Sequence, residues 1–136
     1  MKTHDNLAAF TRAYAHAMLW ANTHNDDDHD TPVDPFAWLT NDPDWALGAF
    51  DDESRASIEE DCAAFFAANL RDLIAYAREY DYASAGHDFA LTRSHHGAGF
   101  WDRGLGVLGD RLTASAHPFG EVDAWTVEGD EFVHLF

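Results

Sequence analysis

The chain has 136 residues, 46% hydrophobic and 14% aromatic, with 25 acidic against 8 basic side chains and a formal charge of -17. That is enough apolar material for one compact core, so a single domain over 1–136 is expected, neither a disordered chain nor a two-domain enzyme. The charge argues against direct contact with nucleic acid or an anionic membrane, because phosphate binding runs on Lys and Arg, and it points to partners with basic surfaces.

The acids are unevenly placed: residues 1–25 sum to +1, 26–61 to -12, 62–120 to -1 and 121–136 to -5. No apolar run approaches the roughly 18 residues of a membrane span. The opening MKTHDNLAAF lacks the three regions of a signal peptide, and the lone Cys62 forbids an internal disulfide. A cytoplasmic location is therefore expected.

In chain order, Leu7, Phe10, Tyr14, Met18 and Ala21 recur at three- and four-residue steps behind Thr3 or Asp5 as a cap, which predicts an amphipathic helix over 5–21. NDDDHDTPVDP, residues 25–35, reads as an exposed loop. Short helical turns follow at Pro35–Leu39 and Pro43–Phe50, each with proline in its first turn. Ile58, Cys62, Phe65, Asn69, Leu73, Tyr76 and Tyr80 then line one face of a long helix over 53–80, with Ser57 and Glu60 resembling a capping box.

Beyond Gly86 the period changes to two. Phe89 and Leu91 alternate with Asp88, Ala90 and Thr92, SHHG turns, and AGFWDR follows, which predicts a hairpin. Leu105, Leu108, Leu112, Ala116 and Phe119 trace a short helix stopped by Pro118 to Gly120, and VDAWTV with EFVHLF forms a second hairpin around Glu128-Gly129-Asp130. The predicted fold is α+β, ordered ααββαββ: a mainly helical half over 1–85 with an acidic loop segment at 26–53, then ββαββ over 86–136. In it, N-terminal helices pack on a small antiparallel sheet of two hairpins.

The run GHDFALTRSHHGAGFWDRG, residues 86–104, is similar to a motif in a family of small tailed-bacteriophage proteins that has no settled biochemical activity, and the likeness continues loosely through GDRLTASAHPFGEV. It covers roughly the C-terminal third. Gly86, His87, Asp88, Phe89, Leu91, Thr92, Arg93, Gly97, Gly99, Phe100, Trp101, Asp102, Arg103 and Gly104 keep the pattern, and Ala90 departs from it where an aromatic is common. The resemblance implies a phage source, and with it the cytoplasm of a bacterial host. It supplies no mechanism.

Four features offer chemistry. The acidic segment can act as a nucleic-acid mimic, with carboxylates presented to a basic groove, or simply as a solvated face. Its expected contact residues are Asp26, Asp27, Asp28, Asp30, Asp34, Asp42, Asp44, Asp51, Asp52 and Glu53. Asp26, Asp28 and Asp30 alternate as in a calcium loop, but the sixth position from Asp26 is Thr31 where glycine is needed and the twelfth is Ala37 where glutamate is needed.

His87, Asp88, His95 and His96, with Asp102, form the second feature: paired across a hairpin they could hold a divalent ion that activates water, although the adjacent His95 and His96 point to opposite faces of a strand. The plainer reading makes Asp88, Arg93, Asp102 and Arg103 cross-strand ion pairs. GLGVLG, residues 104–109, spells a dinucleotide fingerprint but lacks its βαβ setting, so it reads as a hairpin exit and a helix start. Cys62, on an apolar helix face, reads as core packing.

The functional expectation is a non-enzymatic phage accessory protein, without a cofactor, that binds a host protein and inhibits a nucleic-acid-binding defence or regulatory factor by mimicry. The alternatives are a small metal-dependent hydrolase built on the histidine cluster and a phage structural or assembly component. A homodimer with its seam away from the acids is compatible with the charge.

Overall fold

The computed structural model describes residues 2–24, 45–95, 99–122, 124–125 and 132–135. Its described residues are mostly helical: α1 (Lys2–Asn22), α2 (Trp45–Gly48), α3 (Asp52–Ala68), α4 (Leu70–Glu79), α5 (Tyr82–Arg93) and α6 (Val107–Ala116), with 3-10 turns at Phe100–Asp102 and His117–Phe119. Among the described residues the strands are β1 (Thr23–His24), β2 (Ala124–Trp125) and β3 (His134–Leu135), two residues each. β1 runs parallel to β2, and β2 antiparallel to β3 in the register Ala124 to Leu135 and Trp125 to His134. The expected α+β sheet of two hairpins is therefore overturned.

The first predicted hairpin is replaced by α5 and the 3-10 turn that follows it. Asp81 starts the helix: its backbone is extended, and its side-chain oxygen accepts from the Ser84 N–H at 2.7 Å, satisfying a donor that a helix start leaves free. Ala85, Gly86 and every residue from Asp88 to Arg93 are buried, because α1, α4, α6 and both 3-10 turns pack around this helix. A helix buried nearly all round has no single apolar stripe, so the local alternation of Phe89 and Leu91 imitates a strand.

The predicted helix over 53–80 breaks at Asn69 into α3 and α4. The Asn69 side chain donates to the Phe65 carbonyl at 2.9 Å, which the Asn69 N–H also bonds, and to Ser115 Oγ at 2.8 Å, which ties the joint to α6. The first helix forms as the periodicity predicts, from Lys2 to Asn22, and α2 falls inside the expected Pro43–Phe50 turn. The Asp-rich loop and the Pro35–Leu39 turn lie outside the described residues.

Phe65 sits at the centre of the core. It stacks on Phe89 at 4.1 Å between ring centroids and meets Phe10, Phe100 and Phe119 at 6.0, 5.8 and 5.9 Å. Each fully buried Phe contributes about 1.5–3 kcal/mol, so this group is the main apolar anchor between α1, α3, α5 and the two 3-10 turns. The buried cluster runs from Phe10 to Val133 and includes Cys62. Among the described residues no helix is long and apolar enough to cross a membrane.

Candidate functional site

Of the predicted acidic contact residues, Asp26, Asp27, Asp28, Asp30, Asp34, Asp42 and Asp44 lie outside the described residues. Asp51, Asp52 and Glu53 stand at the start of α3, where the partial positive charge of the helix N-terminus favours carboxylates. Asp51 is half-buried, with Oδ1 3.3 Å from His134 Nδ1. Asp52 and Glu53 are exposed, as are Glu59 and Glu60 one to two turns on, whereas Ser54, Ile58, Cys62, Phe65 and Phe66 face inward. The solvent side of α3 thus carries four exposed acids against Arg55 alone.

Four polar residues of the 86–104 motif collect elsewhere, around a cavity of about 250 Å³ lined by His87, Asp88, Leu91, Gly99, Asp102 and Arg103. α5 supplies the first three, and the 3-10 turn with its two flanking residues supplies Gly99, Asp102 and Arg103. The turn can approach only because residue 99 is glycine: its φ is 145°, and a Cβ there would overlap the Thr92 hydroxyl. Thr92 Oγ1 in return accepts from the Phe100 N–H at 3.2 Å, and Asp102 Oδ1 accepts from the Gly99 N–H at 3.1 Å, closing the turn on itself.

Asp88 is the buried centre of the site, its side chain 2% exposed. Arg103 grips it with both ends of its fork, Nε to Oδ2 at 2.8 Å and Nη2 to Oδ1 at 3.0 Å, and the Tyr76 hydroxyl donates to Oδ2 at 2.6 Å. Burial, and after it the bond to Asp88, pushes the Tyr76 phenol above its usual 10.0, so it stays a donor. The Arg103 guanidinium also lies 4.8 Å from the centre of the Tyr80 ring, and the Tyr80 hydroxyl donates to the Arg103 carbonyl at 3.0 Å. His87 is half-buried, and burial holds its imidazole below the usual 6.5, so it is neutral at pH 7.

This arrangement alters the metal reading. His87 lines the cavity from within α5, whereas His95 lies beyond the end of that helix and is not among the lining residues, so the structure does not bring the two together. His95 instead stacks on His117 at 4.5 Å, and His96 lies outside the described residues. Asp88 has both oxygens committed to Arg103 and Tyr76. Among the described residues no three His, Cys, Asp or Glu side chains come together in a metal-binding group.

The ion pairs also differ from the cross-strand expectation. Asp88 and Arg103 do pair, between a helix and a turn, whereas Arg93 turns away to bind Asp61 at 2.8 Å, the Tyr14 hydroxyl at 3.0 Å and the carbonyls of Phe119 and Gly120. Arg93 thereby ties the end of α5 to α1, α3 and the second 3-10 turn, a structural task. GLGVLG forms a turn with Gly104 and Gly106 at positive φ, then the first residues of α6. Sequence reasoning missed Tyr76, which its spacing marked only as a core position. No protein family, curated protein or solved structure matches the chain.

Proposed function

We propose that the protein works by binding a basic protein partner through its acidic segment, as a non-enzymatic accessory protein that competes with nucleic acid for a host factor. The observation that carries this reading is the segregation of charge: -12 of the net -17 falls within residues 26–61. The exposed acids Asp52, Glu53, Glu59 and Glu60 place part of that segment on the solvent side of α3. Dense carboxylates on such a surface attract a groove that normally takes phosphates, and steering of this kind acts mainly on the association rate. The likeness of residues 86–104 to a tailed-phage motif supports a phage source and the cytoplasm of a bacterial host as the setting.

The test is retention of a DNA- or RNA-binding protein from host lysate at about 0.15 M salt and again at about 1 M, where the screening length falls from about 8 Å to about 3 Å. Retention should be lost at high salt and on adding duplex DNA. Reversing Asp26, Asp27, Asp28 and Asp30 to Lys should lower retention by tenfold or more. Unchanged retention by that variant refutes the reading.

A further inference from the structure

We propose that the cavity between α5 and the 99–103 turn receives one cationic side chain, arginine or lysine, from a protein partner, with Asp102 as its anchor. The inference deepens the basic-partner reading and rests on it, but its contact surface is separate from the acidic segment. Three observations support it.

The first is charge at the cavity. Asp88 and Arg103 neutralise each other through two hydrogen bonds, leaving Asp102 as the charge that is not cancelled among the lining residues. Asp102 Oδ1 is used by the Gly99 N–H, and among the described residues no donor is bonded to Oδ2. An anion would meet this carboxylate in a chain already at -17, whereas a guanidinium or ammonium gains a charge-assisted hydrogen bond.

The second is size and wall chemistry. At about 250 Å³ the cavity falls below the usual range for drug-sized ligands, about 300–1,000 Å³, and suits one long side chain. Leu91 offers an apolar wall for the methylene stem while the charged head stays at the polar lining. The third is the neighbouring aromatic surface. Trp101, 54% exposed, precedes Asp102 in the chain, and Tyr80 is 38% exposed. Tyr80 contacts the lining residue Arg103, and exposed Trp and Tyr side chains are typical of interface hot spots.

The test uses the full chain, isotopically labelled, titrated by NMR with a Gly/Ser-rich hexapeptide containing one central arginine, beside the same peptide with citrulline in its place. Citrulline keeps the shape and removes the charge, so no variant need fold for this comparison. The arginine peptide is expected to shift the amides of Leu91, Gly99, Trp101, Asp102 and Arg103, and the citrulline peptide to bind at least tenfold more weakly. Asp102→Asn, which keeps an oxygen for the Gly99 N–H, should show the same tenfold loss. Equal binding of the two peptides, equal binding by Asp102→Asn, or shifts confined to α3 overturn the proposal, and so does the absence of shifts at millimolar peptide. The Asp26, Asp27, Asp28 and Asp30 reversal should leave the peptide shifts intact while weakening partner retention, so failure of this site and failure of the acidic surface read out separately.

Discussion

At the residue scale the stability of the site turns on Asp88. Its carboxylate is held by Arg103 and Tyr76, and removing the cation leaves a buried charge with one neutral donor. Arg103→Leu should cost about 3 kcal/mol in urea unfolding, the low end for breaking a buried pair, because the Arg103 side chain is 31% exposed. Adding Asp88→Asn should recover part of that loss, since the orphaned charge is then gone. His87 gives a pH signature. Its folded pKa lies below 6.5, through burial first, with the electrostatic effects of His16 on α1 and Arg103 adding to it and the pull of Asp88 opposing it. The unfolded chain therefore takes up the proton first, so stability is lost as pH falls from about 6.5 toward the folded value. Urea midpoints at pH 7.0 and 5.5 should separate more for the natural chain than for His87→Asn.

At the element scale the decisive contact is α5 against α1. A Cβ at Gly86 would overlap the Phe10 carbonyl oxygen, and backbone cannot move aside as a side chain can. Gly86→Ala should cost about 3 kcal/mol or prevent folding, seen by circular dichroism on heating. Gly48, in α2, has open space where its Cβ would go, so Gly48→Ala should leave the melting temperature unchanged or raise it. The same packing explains what the sequence misreported. α1 and α3 each present one apolar face, so their periods were legible, whereas α5 is enclosed by several neighbours and its period vanished into a false alternation. The break at Asn69 was equally hidden, because it depends on Ser115, 46 residues away.

At the scale of the whole molecule, charge dominates. A net -17 repels itself in the folded state more than in an expanded chain, so the melting temperature should rise as salt goes from about 10 to 150 mM, the range over which the screening length falls from about 30 to 8 Å. Charge-conserving substitutions should leave that slope unchanged, and Asp-to-Asn changes within 26–53 should flatten it. A melting temperature that ignores salt would show that the acids are spaced too widely to interact.

The sequence by itself determined the quantities that are sums or local periods: the excess and segregation of acid, the amphipathic first helix, the inward stripe of Ile58, Cys62 and Phe65, and the pairing potential of Asp88 with Arg103. Charge adds up without reference to geometry, and a helix with one wet face writes its period into the residues. Tertiary structure decided that residues 82–93 form a helix, that a glycine at 99 lets a turn close over Thr92, and that Tyr76 and Arg103 both bond to Asp88. Those outcomes depend on contacts between segments far apart in the chain, whose worth exceeds the fraction of a kilocalorie per residue that local propensity contributes.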